Sequence, residues 1–579
     1  MKIMKTIKKT WELISHVSKI DKKGTGVLIG YSILEGVYPS ISILITKEFV
    51  SSLELSLNSN RIQVTTALIV LLFLQLLFEF LMLSSSFHGK THKLKIEKQL
   101  SLNVINATAQ LKVDDFENSE TYDLIMRADR DGKSRIYLVF DRLRALLRVL
   151  ITMSVVSFIV IQMNIVLGII VLIPPLVSVA IESKIGRIGY KNSIEKTPLD
   201  RRKHYLNFLM TNDIACKEIK LNNASGYLIG KYEELADKLF ILDNKVNKKR
   251  RNLSQREAVL NFMVFSGLIA YIVMQASKGV GDIAEFLVLF NSVKLIQSNL
   301  GSILLISTET RNNLLYTTLY FQLLKRSVSS KKHHEKSIGS IKSLEFKDVS
   351  FTYRNSQTEI IKNVSFKFEA GDKVIIMGNN GSGKTTLIKL ICGFYDSFEG
   401  EILVNGLNVN EIDKNQLFGL LSCTFQDYNR YEMSIRENLT ISKFEDSNNN
   451  QKIKSCLEVV SLDKFVEGLE DGVDTQLGSW FDGIHLSIGQ YQKLALSRNM
   501  FKDVSVKIFD EPTASLDSKS TQNFCNYFSK DRSTIDIVVT HKDRDFIGVS
   551  AKRYMMEDGY LTLIDQPLRM DNQIHNQTS

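Results

Sequence analysis

The sequence predicts a multi-domain membrane protein, a six-helix all-α transmembrane part followed by an α/β part. Three observations predict it. Six apolar stretches, each long enough to cross a bilayer, lie before about residue 310. From Ile341 the pattern changes to short β-rich runs alternating with helices. One of those runs ends in a glycine-rich turn that opens a helix. Strands alternating with helices imply an α/β domain.

The membrane part comes first. A spanning helix needs about 20 mostly apolar residues to cross about 30 Å of hydrocarbon. Stretches 26–49, 63–85, 143–163, 165–184, 257–276 and 281–306 qualify. The third and fourth are parted only around Asn164, and the fifth and sixth by the short loop Ser277 to Gly281. The gaps 86–142 and 185–256 are long and carry charge at helical spacing between apolar positions. They predict membrane helices that continue into the cytoplasm, turn and return. Lys2, Lys5, Lys8, Lys9, Lys19, Lys22 and Lys23 precede the first span, whereas the short loops carry only Arg61 and Lys278. Positive charge marks the cytoplasmic side, so the N-terminus and the long gaps lie inside.

Residues 325–340, KRSVSSKKHHEKSIGS, are polar, basic and aperiodic, which reads as a linker. A solvated linker explains the pair His333-His334 better than a metal site does. The expected domains are thus 1–324 (transmembrane), 325–340 (linker), 341–565 (α/β) and 566–579 (polar tail).

Composition narrows the class. At 579 residues the chain is too long for one core. Its net charge of +10 admits nucleic-acid binding, but the lysines cluster beside apolar spans, as cytoplasmic loops require. The five cysteines, Cys216, Cys392, Cys423, Cys456 and Cys525, match neither a metal site nor a Cys-x-x-Cys pair. They read as reduced structural thiols. The Lys-rich start shows no cleavable signal peptide.

The chemistry sits in the α/β part. Gly378-Asn379-Asn380-Gly381-Ser382-Gly383-Lys384-Thr385 fits G-x-x-x-x-G-K-[ST], after the strand Lys373–Met377 and before an apolar helix. The glycines let backbone N–H groups converge on phosphate oxygens, and the helix start adds partial positive charge. Lys384 is expected to reach the β- and γ-phosphates, and Thr385 to ligate Mg²⁺. Thr386 completes the expected nucleotide contacts. Farther on, Val504–Phe509 reads as a strand with Asp510-Glu511 at its end. Strand ends are where open α/β sheets bind ligands. Asp510 is expected to hold Mg²⁺, and Glu511 to act as general base on the attacking water. Lys507 inside that apolar strand has no account from sequence.

On these residues the chain resembles the ABC transporter superfamily. Leu486-Ser487-Ile488-Gly489-Gln490 is similar to its LSGGQ signature and stands in family order between the P-loop and Asp510-Glu511. The resemblance implies that Ser487, Gly489 and Gln490 cap the γ-phosphate held by a second copy of the chain. Ile488 departs from the family glycine, and its β-branched side chain is costly if that position needs positive φ. Tyr353 resembles the aromatic that stacks on adenine. Gln426 resembles the Q-loop glutamine that senses Mg²⁺ and water. Asp517, in Ser515-Leu516-Asp517, resembles the D-loop, and His541 the switch histidine.

Helices fused ahead of the ATPase domain resemble the family's exporters, in which each chain is a half. The resemblance implies an ATP hydrolase coupled to transport, a homodimer in the bacterial plasma membrane, and a cytoplasmic ATPase domain. It also implies coupling helices near Phe116–Met126 and Asn212–Asn222. The stretch Leu477-Gly478-Ser479-Trp480-Phe481-Asp482-Gly483 is similar to exporters of lantibiotics and related modified peptides. The expected cargo is therefore an antimicrobial peptide, with peptide-modification enzymes as further partners. No cysteine precedes Cys216, so no papain-like leader peptidase is expected. Glu35, Glu79, Glu285 and Lys294 fall within predicted spans, where charges face a cavity or pair between helices. The alternatives are a multidrug or lipid exporter, a membrane receptor that binds ATP without turnover, and a soluble ATPase acting on nucleic acid or ribosomes. The six spans argue against the last.

Overall fold

The computed structural model describes residues 2–56, 61–163, 188–189, 191–192, 195–196, 198–277, 283–330, 336–354, 356–530 and 533–564. The chain divides into two units, Met1–Leu111 with Ser119–Ser329, and Lys112–Asn118 with Ser330–Ser579. The predicted fourth span, His333-His334 and the tail from 566 lie outside the described residues.

The described part of the first unit is helical. Helices α1 (Lys2–Ile20), α2 (Lys22–Ser56) and α3 (Arg61–Ala109) open it, and α4 (Val113–Glu117) belongs to the second unit. Helix α5 (Ser119–Arg127), a π-turn (Ala128–Gly132), α6 (Lys133–Met163), α7 (Asp213–Leu221), α8 (Ser225–Ser277) and α9 (Ile283–Ser330) follow. Among the described residues three helices are long and apolar enough to cross a membrane: Lys22–Glu54, Val64–Ala109 and Glu120–Gln162. They coincide with the first three predicted spans. Stretch 257–276 falls in α8, and residues 283–306 of the sixth stretch fall in α9. Helices α3, α8 and α9 have 49, 53 and 48 residues. At about 1.5 Å per residue each is roughly 70–80 Å long, more than twice the hydrocarbon thickness.

Helix α1 was legible only as a run of lysines. Its apolar face, Leu13 and Val17, is buried against Ile96, Leu100, Tyr320 and Leu323. His16 hydrogen-bonds the Tyr320 hydroxyl at 3.1 Å. Helix α9 runs to Ser330, into the stretch that reads as linker. Two of the four charges that fall within predicted spans, Glu35 and Glu285, pair between helices. Glu285 lies 3.8 Å from Lys47, and Glu35 pairs with Arg148 at 2.7 Å.

The second unit holds two sheets. The antiparallel one has the order β2 (Glu359–Glu369), β1 (Ser343–Thr352), β4 (Glu399–Val404), β5 (Leu407–Asn408). The larger one has the order β10 (Tyr560–Ile564), β9 (Lys552–Glu557), β3 (Lys373–Met377), β8 (Ile535–Thr540), β7 (Val506–Asp510), β6 (Leu421–Thr424). Its strands are parallel except the pair β9–β10. Every residue of β3, β7 and β8 is buried. That is the expected state of parallel strands covered on both faces, and it accounts for their continuous apolar runs. Lys507 fits there because its ammonium donates to the Met500 carbonyl at 3.1 Å and the Tyr527 hydroxyl at 3.0 Å. Those partners replace the water a buried cation loses.

Segment Lys112–Asn118 packs within this unit through charge. Asp114 meets Arg354 at 3.0 Å. Glu117 accepts from the Tyr395 hydroxyl at 2.7 Å and from Lys389 at 3.0 Å. Lys112 pairs with Asp396, which also meets Lys414 at 3.3 Å. Burial alone would raise the Asp396 carboxyl, but Lys112 and Lys414 hold it below the ordinary carboxylate range. The docked residues thus begin four positions before the predicted Phe116–Met126. The second expected coupling segment is helical as α7 and lies in the first unit.

Candidate active site

Strand β3 ends at Met377, and the turn after it is shaped by close approach. A Cβ at Gly378 would come within 2.2 Å of the Met556 carbonyl oxygen. Gly383 has φ +106 and caps helix α10 (Lys384–Ile391) from the left-handed region, where a side chain is costly. Lys384 is buried, and its ammonium donates to the carbonyls of Gly378 and Asn379, both at 2.8 Å. Burial lowers its pKa, against the pull of Glu511 and Asp510. The Ser382 hydroxyl is buried without a hydrogen-bond partner among the described residues. A buried polar group without a partner is costly. A cradle of backbone N–H groups, a lysine and an orphaned hydroxyl fits a phosphate chain. The hydroxyl of Tyr353, the residue expected to stack on adenine, lies 3.0 Å from Thr386 Oγ1, and its ring packs edge-on against Phe351 and Tyr395.

The acidic pair sits at the carboxyl end of β7. Thr385 donates to Asp510 at 3.4 Å. A hydroxyl and a carboxylate so placed are the oxygen donors that Mg²⁺ takes. Burial, then the charge of Glu511, pushes the Asp510 carboxyl up to about 6. Glu511 has φ +48, a left-handed conformation that non-glycine residues rarely adopt. Such strain concentrates at functional positions. Its backbone N–H donates to Val539 O at 2.8 Å. Its carboxylate meets His541 Nδ1 at 2.9 Å and accepts from Gln426 Nε2 at 3.2 Å. Gln426, Glu511 and His541, predicted separately from sequence, are therefore in direct contact.

Helix α11 (Ile488–Phe501) carries the signature. Ser487 caps it reciprocally with Gln490: its hydroxyl accepts from the Gln490 N–H at 3.2 Å, and its own N–H donates to the Gln490 side chain at 2.8 Å. Ile488 is the first helical residue, is exposed, and does not have positive φ. The backbone cost that sequence attaches to it does not arise in this conformation. Among the described residues, no hydrogen bond or ion pair joins Ser487, Gly489 or Gln490 to the P-loop of the same chain. Asp517 caps α12 (Ser518–Phe528) through the Ser520 N–H at 2.8 Å and meets Lys493 at 2.9 Å. The Lys493 hydrogen bond, then the Ser520 N–H, hold its carboxyl far below the usual range.

Sequence reasoning missed Gln492. It is buried, and its amide nitrogen donates to the carbonyls of Glu511 at 2.9 Å and Pro512 at 3.3 Å. Its amide oxygen accepts from the Ser515 N–H at 2.9 Å. It ties the signature helix to the backbone of Glu511 and to the turn before Asp517. The available signal was a glutamine directly after the signature, in a helix that is buried on most of its sides.

A family profile described as ABC transporter matches residues 361–514. The subtilin transport ATP-binding protein SpaT of Bacillus subtilis is 30% identical over 93% of this chain and 88% of its own length. The nisin transport ATP-binding protein NisT of Lactococcus lactis subsp. lactis is 28% identical over 91% of this chain and 88% of its own. A solved bacterial Atm1-family ABC exporter with ATP bound shares the fold at TM-score 0.77 and 18% identity, covering 93% of this chain and 94% of that one. Given the matched segment and a relationship that spans nearly the whole chain, this protein belongs to the ABC transporter family, as an exporter-type ATPase that couples ATP hydrolysis to transport.

Proposed function

We propose that the chain is one half of a homodimeric exporter of a lantibiotic or related modified antimicrobial peptide. The cargo moves from the cytoplasm across the bacterial plasma membrane, and peptide-modification enzymes are its upstream partners. One observation carries the cargo class. The relatives named for subtilin and nisin transport align over 93% and 91% of this chain. The likeness therefore takes in the membrane unit, where cargo is met, as well as the ATPase. Six spans complete that unit in this reading, with the N-terminus and the ATPase in the cytoplasm and residues 325–340 as the linker.

Each ATP sits between the P-loop of one copy and Ser487, Gly489 and Gln490 of the other. The exposed signature, unlinked to its own P-loop, supports this arrangement. Gly378 to Thr386 hold the phosphates, and Tyr353 stacks on the base. Thr385 and Asp510, with Gln426 beside them, would hold Mg²⁺, which when bound neutralises charge on the β- and γ-phosphates. Glu511 takes a proton from water as its oxygen bonds to the γ-phosphorus and the bond to the β–γ bridging oxygen breaks. His541 orients the Glu511 carboxylate, and Asp517 lies at the seam between copies. Closure around two nucleotides is favoured by their tighter binding to the closed state, which lets ATP bias the bundle between its two openings.

The test is vesicles containing the purified protein and ATP. A leader-bearing modified precursor should stimulate phosphate release and be transported, whereas lipid and hydrophobic drug should do neither. Stimulation by lipid or drug with none by precursor would refute the cargo class.

A further inference from the structure

We propose that Arg148, with its partner Glu35, forms a binding site in the membrane unit for a carboxylate-bearing segment of the exported peptide. The inference rests on the peptide-export reading above and names the chemistry by which cargo is held. Helices α2 and α6 touch backbone to backbone here. A Cβ at Gly36 would lie 2.9 Å from the Arg148 carbonyl oxygen, and Thr152 donates to the Gly36 carbonyl at 2.7 Å. Next to this contact the Arg148 guanidinium donates to Glu35 Oε2 at 2.7 Å. The Glu35 side chain is 4% exposed and that of Arg148 is 39% exposed. The carboxylate is thus enclosed while the guanidinium, with five donors, remains partly open.

Two cavities meet at this pair. One, of about 200 Å³, is bounded by Glu35, Arg148, Phe78, Met82 and Asn299. The other, of about 390 Å³, shares Glu35, Met82 and Arg148. The charged residues of the second are Glu35, Asp141, Lys90, Lys93, Arg144 and Arg148. Four cations against two anions favour an anionic occupant. The smaller cavity is chiefly apolar but contains the Asn299 amide nitrogen, which is buried with no partner among the described residues. A buried donor without an acceptor costs free energy, and a ligand carbonyl or carboxylate removes that cost.

The Glu35 carboxylate occupies the place that a ligand carboxylate takes. Exchange of one carboxylate for another keeps the partly exposed Arg148 guanidinium paired throughout, and the released Glu35 carboxylate stays among Lys90, Lys93 and Arg144, which line the same cavity. A peptide fits the volume and composition of the two cavities: side-chain carboxylates on Arg148, main-chain carbonyls on Asn299, and apolar side chains against Phe78 and Met82.

Binding to the full-length protein in nanodiscs of zwitterionic lipid tests this. The probe is a rhodamine-labelled hexapeptide with three glutamates, compared by anisotropy with its glutamine counterpart. Glu35→Gln removes the internal competitor and should tighten the glutamate peptide about tenfold, the worth of one charge-assisted hydrogen bond, with the glutamine peptide unchanged. The double variant Glu35→Gln/Arg148→Gln carries no unpaired buried charge and should bind both peptides equally. Equal binding of both peptides by the unaltered protein, or no gain from Glu35→Gln, would overturn the proposal. Vesicles separate it from the cargo reading. Precursor export unchanged in the double variant refutes this site and leaves the exporter reading intact. Peptide binding as described with no precursor export supports the site and refutes the cargo class.

Discussion

At the scale of single residues, the proposed general base is Glu511, which touches both Gln426 and His541. Glu511→Gln keeps size and polarity but removes the base, so phosphate release should fall by about 10²- to 10⁴-fold while binding of a fluorescent ATP analogue persists. Gln492 tests whether the unpredicted link matters. Gln492→Leu leaves the Glu511 and Pro512 carbonyls and the Ser515 N–H without it. Each unsatisfied buried group costs about 1–3 kcal/mol. The expected outcome is a lower kcat with KM for ATP little changed, read by steady-state phosphate release. Asp510 sets a pH dependence. Its pKa is raised to about 6, so proton and divalent cation compete for it below that value. Mg²⁺-dependent ATP binding should weaken as pH falls from about 7 to about 5, as measured by calorimetry at fixed Mg²⁺. The sign for stability is opposite. A carboxyl whose folded pKa lies above its unfolded one stabilises the nucleotide-free fold as pH falls.

The residues of this site were legible because each belongs to a short motif, and short motifs survive without knowledge of packing. Gln492 was not, since its meaning depends on which face of α11 meets the strand end. Ile488 shows the converse. Its identity raised an expectation of strain that only the backbone angle of the folded helix removes.

At the scale of elements, hydropathy found the helices whose apolar runs are long, and glycine placement found the strand-to-helix turn. It read α1 as a charge bias because the lysines that mark sidedness also occupy the polar face of an amphipathic helix. It read Lys507 as an oddity because the carbonyl of Met500 and the hydroxyl of Tyr527 come from other elements. The fold makes that strand testable. Lys507→Ala removes a buried side chain and its bond to the Met500 carbonyl, so the ATPase unit should lose about 2–4 kcal/mol by denaturant unfolding. Lys507→Met, nearly equal in volume, should lose less.

At the scale of the whole molecule, the proposed two-copy site predicts complementation. Lys384→Ala disables a P-loop, and Ser487→Ala disables a signature. Each variant alone should be inactive in vesicles. Random pairing of the two places both lesions in one composite site of a mixed dimer and leaves the other intact, so co-reconstitution should restore roughly a quarter of the sites. No recovery would argue against a shared site. The sequence pointed to this dependence through the resemblance alone, since no single-chain pattern states which copy completes a pocket.

Seven residues from the N-terminal half, Lys112–Asn118, are counted among the ATPase unit's own. The polypeptide therefore passes between the units three times rather than once. Trimming the gene at the linker severs an ionic belt from the surface it was built on. A fragment starting at Ser330 strips Tyr395 and Lys389 of Glu117, and Asp396 of Lys112. Grafting the heptapeptide back, by fusion or in trans, should raise the fragment's melting temperature. The autonomous ATPase is in that sense a discontinuous object.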